Sequence, residues 1–197
     1  MRNIVKSFML LAVAAPLAAQ GAQQASAGAP APAAPPAQVI PAAGEMAPDF
    51  TIQWADRKGA KAEPLTLSKL RGQVVVLAFY PADFSRGCTI EMSKFRDDYK
   101  AIFGDGVTVL PISRDSISTH VRWADSMAFP FPLGADVDAS VAKAYASLGR
   151  PANPQYLARN IFVIGKDGKI VYSKQSFNVN AQTGYDELAA AVAAAKK

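Results

Sequence analysis

Residues 74–91 read VVVLAFYPADFSRGCTIE, and this stretch decides the fold. Residues 74–80 are a continuous apolar run of β-branched, aliphatic and aromatic side chains, the pattern of a strand buried on both faces. Pro81 stops the run. A tight segment follows at residues 82–87. A helix is then predicted over residues 89–103, because Met92, Phe95, Tyr99, Ile102 and Phe103 recur at helical spacing. Gly104 supplies its C-cap.

Working outward, residues 107–113 (VTVLPIS) read as the next buried strand. Asp115 or Ser116 caps a helix carrying Ile117, Val121 and Ala124. A proline-rich loop occupies residues 129–136, and residues 138–148 read as a further helix. Residues 161–164 and 170–173 flank Lys166-Asp167-Gly168-Lys169 and predict a hairpin. The chain ends in an alanine-rich helix, 185–197. Asp186 and Glu187 sit in its first turn and two lysines at its end, a charge order that suits the helix dipole. Upstream, residues 49–54 read as a short strand, and residues 65–70 as a strand edge running into a turn at Gly72. Strands alternate with helices and a hairpin comes late. That order predicts an α/β protein with a central mixed β-sheet flanked by helices, the order of the thioredoxin fold.

Composition bounds the chemistry. Half of the 197 residues are hydrophobic and 19% are charged, which excludes a wholly disordered or fibrous chain. No apolar run reaches the ~18 residues of a membrane span. A single cysteine excludes an internal disulfide and any site built from two thiolates. A single histidine excludes a two-histidine zinc motif. No metal and no cofactor are expected.

Residues 1–27 have the layout of a secretory signal peptide: Arg2 and Lys6, an apolar stretch over residues 8–19, then small residues. Ala25-Ser26-Ala27 and Ala19-Gln20-Gly21 are both acceptable cleavage sites. Residues 28–43 (GAPAPAAPPAQVIPAA) are Pro/Ala-rich and read as a semi-rigid linker. The folded domain is predicted over residues 44–197, in an exported protein, periplasmic or secreted. Without Arg2 and Lys6 the chain keeps 19 basic residues against 16 acidic, too even a balance to argue for nucleic acid.

Cys88 is the candidate nucleophile. It follows a strand and a proline and lies at the start of a helix, where unpaired backbone N–H groups and the dipole favour a thiolate. Ser85 stands three residues before it and can donate to the sulfur or to a bound oxygen. Gly87 permits close backbone approach.

The stretch FYPADFSRGCTIE resembles the peroxidatic motif of the peroxiredoxins, Pro-x-x-x-(Thr/Ser)-x-x-Cys, with Pro81, Ser85 and Cys88 in register. Ile112-Ser113-Arg114-Asp115-Ser116 with His120 and Trp123, the loop FPFPLGA at residues 129–135, and residues 158–164 followed by KDGKI resemble further family segments in the same order. The resemblance implies a thiol peroxidase of the thioredoxin fold. Cys88 would be its nucleophile, Ser85 and Arg159 its polar partners, and Pro81 a shield against bulk water. Glu91 falls where the family often has a glutamate that holds active-site arginines. By themselves, Glu91 reads as a first-turn helix carboxylate, Arg86 as solvated, and His120 as a packing or surface residue.

Two departures matter. Serine replaces the more usual threonine at position 85. The stretch Arg-Gly-Cys-Thr-Ile-Glu resembles the bacterioferritin-comigratory group, yet Ser93 stands where some members carry a resolving cysteine. The implied partners are therefore a peroxide and an external thiol reductant, thioredoxin-like, glutaredoxin-like or a small thiol. Family members associate through several surfaces, and a homodimer is one arrangement open to the chain. The competing class is a redox-inert or redox-sensing thioredoxin-fold binding protein. A thiol–disulfide oxidoreductase lacks its Cys-x-x-Cys, and a copper-delivery protein its second cysteine.

Overall fold

The structure, a computed structural model, describes residues 39–149 and 152–197. The signal peptide and most of the linker expected from the sequence lie outside these residues. In chain order the elements are β1 (Thr51–Asp56), β2 (Gly59–Ala60), β3 (Leu65–Thr66), a 3-10 turn (Leu67–Leu70), β4 (Val74–Phe79), α1 (Arg86–Asp97), α2 (Tyr99–Ile102), β5 (Val107–Ser113), α3 (Ile117–Ser126), β6 (Leu133–Ala135), α4 (Ser140–Ala144), β7 (Asn160–Ile164), β8 (Ile170–Lys174) and α5 (Gln182–Lys196).

All six residues of β4 are buried, as the apolar run requires. The strand lies inside one sheet of order β2-β1-β6-β5-β4-β7-β8, with β3 also paired to β1. β5 runs parallel to β4, and β7 antiparallel to it. Successive side chains of β4 enter opposite cores. Val74, Val76 and Ala78 meet Cys88, Met92 and Phe95 of α1 and Tyr185, Leu188 and Val192 of α5. Val75, Leu77 and Phe79 meet Val141, Ala142, Tyr145 and Phe162. Helices therefore cover both faces of a mixed sheet, which is the thioredoxin fold.

Several elements differ from the sequence expectation. The helix expected at residue 89 starts at Arg86, with Ser85 as its N-cap, so Cys88 is its third residue. It breaks at Asp98, whose φ of −103° and ψ of 22° leave the helical region, and resumes as α2. Ser116 caps α3 by accepting from the Thr119 backbone N–H at 3.3 Å. The helix expected over 138–148 contracts to α4, which is followed by Ala146 in the left-handed region at φ 47°. The proline-rich loop contains β6. Three residues are too few to show a period, and the middle one is Gly134, which pairs with Trp54 on one side and Ile112 on the other. A Cβ there would lie 3.1 Å from the Ile52 Cδ1 and 3.3 Å from the Ile112 Cγ1, so any side chain would need both neighbours to give by a few tenths of an ångström.

The start of the domain is clipped to the far sheet edge. Gly44 N–H donates to the Ile170 carbonyl at 2.8 Å, Ile170 N–H donates to the Glu45 carbonyl at 2.9 Å, and Met46 bridges to Lys169. Pro41 is buried, and Ile40 packs on the second core.

Gly134→Val should destabilise the domain by about 2 kcal/mol, the cost of overpacking a filled core. Urea unfolding of the two proteins measures it. A variant as stable as the native chain would show that β6 has room to spare.

Candidate active site

β4 runs out at Phe79, and Tyr80 and Pro81 lead into the loop that opens α1. Ser85 closes that loop as the N-cap, and its carbonyl accepts from both the N–H and the hydroxyl of Thr89, at 2.8 and 2.9 Å. One turn of helix brings Cys88 and Glu91 to the same face, three residues apart. Both are fully buried.

Arg159 arrives from the opposite side of β4. It directly precedes β7, whose Asn160 pairs with Phe79. Its guanidinium spans the two α1 side chains: Nη2 donates to the Cys88 Sγ at 3.2 Å, and Nη1 donates to the Glu91 Oε2. Gly87 makes room for it, since a Cβ there would lie 3.2 Å from Nη2. Asn160 and Phe177 hold the arginine's backbone. The Asn160 amide donates to the Ser147 hydroxyl at 3.0 Å and accepts from the Ser176 N–H at 3.1 Å. The Phe177 N–H donates to the Arg159 carbonyl at 2.8 Å.

The electrostatics are unequal across the pair. Burial pushes the Glu91 carboxyl up to about 7 against the pull of Arg159. Its Oε1 has no hydrogen-bond partner among the described residues, which fits a group that gives up its proton reluctantly. Arg159 is held above the ordinary arginine range by Glu91 and by the sulfur, despite its own burial.

The remaining candidates take different places. Pro81 is half-buried and, with Arg159, lines a cleft of about 580 Å³ whose apolar wall is Leu148, Leu157 and Phe177. Ser85 does not reach the sulfur: its hydroxyl donates to the Ala82 carbonyl at 3.0 Å. Arg86 is exposed, as expected. His120 is fully buried and hydrogen-bonded at both ring nitrogens, to Asp83 and to the Gly134 carbonyl, rather than lying at the surface. Asp83 received no role from the sequence. The only available signal was an acidic residue between the strand-ending proline and the cysteine, in a chain with one histidine. Among the described residues no group of three or more His, Cys, Asp or Glu side chains is placed to hold a metal.

The thioredoxin fold here carries a buried thiol at a helix start, bonded to a guanidinium that directly precedes a neighbouring strand. The family model described as AhpC/TSA family matches residues 43–173, and the chain belongs to that family, the peroxiredoxins. It is 34% identical over 146 residues to a peroxiredoxin of Mycobacterium tuberculosis, covering 72% of this chain and 88% of that one. It is 35% identical over 127 residues to peroxiredoxin 2 of Thermoplasma acidophilum, where the match covers 61% of this chain and 60% of the relative. The chain thus spans about three fifths of the length of that relative. The crystal structure of the peroxidoxin BcpB from Mycobacterium tuberculosis superposes with a TM-score of 0.66 at 28% identity, covering 79% of this chain and 98% of that one.

The raised Glu91 carboxyl makes stability fall with pH. Folding holds its proton up to about pH 7, whereas the unfolded chain releases it near 4.5. The unfolded state therefore binds fewer protons between those values, and stability declines across that window by up to roughly 3 kcal/mol. Glu91→Gln should remove this decline, read as the difference between native and variant urea midpoints at pH values below and above the window. Parallel profiles would show that Arg159 keeps Glu91 ionised throughout.

Proposed function

We propose that this chain is a thiol-dependent peroxidase that reduces hydrogen peroxide or organic hydroperoxides. The observation that carries the reading is Arg159 donating to the Cys88 sulfur from a guanidinium already braced on Glu91. In the reaction the Cys88 thiolate attacks one peroxide oxygen. An S–O bond forms as the O–O bond breaks, two electrons pass from sulfur to the departing oxygen, and that oxygen leaves as water or an alcohol after taking a proton. Cys88 is left as a sulfenic acid.

Magnitude assigns the work to Arg159. An ordinary thiol of pKa about 8.5 is roughly 3% ionised at pH 7, so complete ionisation gains at most about 30-fold. Further acceleration must come from stabilising charge as it moves onto the leaving oxygen. A guanidinium fork can hold sulfur and oxygen together, which a lysine ammonium cannot do with the same geometry. The cleft between Pro81 and Arg159 gives the peroxide its approach, and Leu148, Leu157 and Phe177 suit an alkyl substituent. Cys88 is the chain's sole cysteine, so the sulfenic acid is recycled by an external thiol. That thiol displaces water to form a mixed disulfide, which a second thiol resolves.

The complete burial of Cys88 is the observation that favours a redox-inert binding protein instead. Stopped-flow oxidation separates the two. Cys88→Ser should abolish peroxide consumption while unfolding as the native domain does, and Arg159→Lys should slow it more than tenfold at equal thiolate fraction. A native thiol that ignores peroxide, or turnover surviving in Cys88→Ser, would sink the peroxidase reading.

We further propose that the protein is exported, on the strength of the signal-like layout of residues 1–27. Intact-mass analysis of periplasmic or secreted material should show the loss of residues 1–19 at least. A full-length protein confined to the cytoplasm would refute export.

A further inference from the structure

We propose that Asp83 and His120 form a buried pair sharing one proton, and that this pair positions residues 81–85 for peroxide reduction. The proposal rests on the peroxidase reading and adds two positioning residues to it.

Asp83 is tied at its backbone and at both carboxylate oxygens in the loop between β4 and α1. Its backbone N–H donates to the Asp115 carboxylate at 2.8 Å, and that carboxylate also accepts from the Ser113 hydroxyl at 2.7 Å. Its Oδ1 accepts from the Tyr80 hydroxyl at 2.7 Å, and its Oδ2 lies 2.8 Å from the His120 Nδ1. The side chains of His120 and Asp83 are 0% and 1% exposed, so water does not substitute for either partner.

The proton count follows from the acceptors. The Gly134 carbonyl, 3.1 Å from His120 Nε2, can only accept, so Nε2 carries a hydrogen. A second hydrogen must lie between Nδ1 and Oδ2, whether the pair is an imidazolium with a carboxylate or a neutral imidazole with an acid. Removing it sets a nitrogen lone pair against a carboxylate oxygen in a dry site. Few other charges bear on the pair. Of the elements packed on α3, β6 offers the Gly134 carbonyl, β1 carries only Asp56, which pairs with Lys61, and β2 carries no charge. Arg122 and Asp125 of α3 itself are exposed, unlike His120. Tyr80 and Asp115 contact Asp83 as described, and burial beside Asp83 raises Tyr80 well above the usual tyrosine range.

The loop has reason to need this clamp. Phe84, next to Asp83, has φ 58°, a left-handed conformation that an aromatic residue keeps only while its surroundings impose it. Its ring is half-exposed and packs 5.9 Å from that of Trp123. Releasing Asp83 frees Phe84 to relax, and with it Pro81 on the cleft wall and the Ser85 cap beneath Cys88.

Asp83→Asn separates this role from simple packing. The amide N–H can donate to Nδ1 of a neutral imidazole while its carbonyl accepts from Tyr80, so every partner of the side chain is kept, whereas Asp83→Ala loses them all. The measurement is the rate of Cys88 oxidation per thiolate at neutral pH. Asp83→Asn should stay within about threefold of native, whereas Asp83→Ala should lose about tenfold. In a Trp54→Phe background, Trp123 emission should match native in Asp83→Asn and shift in Asp83→Ala, because Trp123 packs on Phe84. An Asp83→Asn loss as deep as that of Asp83→Ala, or an Asp83→Ala protein with native rate and native emission, would overturn the proposal. If Cys88→Ser retains turnover, the peroxidase reading fails, and Trp123 emission still tests the pair.

Discussion

The bond on which the rest of the site depends is the guanidinium of Arg159 laid across Cys88 and Glu91. It joins segments 71 residues apart in the chain, so its geometry is set by the sheet rather than by local structure. The β4–β7 register places Asn160 opposite Phe79, which delivers Arg159 beside the strand end from which α1 departs. The fork then leaves one carboxylate oxygen of Glu91 buried without a partner. Burying an ion pair gains little, and an apolar replacement of equal volume is often more stable. What Glu91 does in the structure is hold one arm of the guanidinium while the other meets sulfur.

Much of this was legible in the residues because it follows periodicity. The run at residues 74–80 could only be a buried strand. Helical spacing marked Met92, Phe95, Ile102 and Phe103, which the structure buries, though not the shared face of Cys88 and Glu91. Arg159 was a different matter. No pattern within the sequence links it to a cysteine so far away, and only the family resemblance of its strand pointed to it. What periodicity could not reach were features decided by tertiary contact. β6 is three residues long and centred on a glycine that must fit between Ile52 and Ile112. Ser85 turned its hydroxyl to its own loop, a choice between nearby acceptors that spacing does not rank. His120 looked unremarkable because its partner lies 37 residues upstream.

The two loops that meet at the sulfur are braced in different ways. On the β7 side, Asn160 uses both ends of its amide to tie Ser147 and Ser176, a neutral bracket indifferent to pH. On the β4 side, Asp83 is bracketed by groups that carry or share protons. Arg159 and Cys88 are thus supported by frameworks of unlike chemistry, one built on an amide and the other on carboxylates.

The clip at the start of the domain bears on how these molecules behave beside one another. Residues 44–46 occupy both backbone groups of Ile170 at the outer margin of the sheet. An open margin of this kind is a template on which a foreign strand can dock, and long exposed ones promote aggregation. Here residues 44–46 take that place at Ile170. A version trimmed beyond Gly44 would keep Cys88 and Arg159 yet bare those two backbone groups to its neighbours, lengthening the open margin by the part that the approach to the fold now covers.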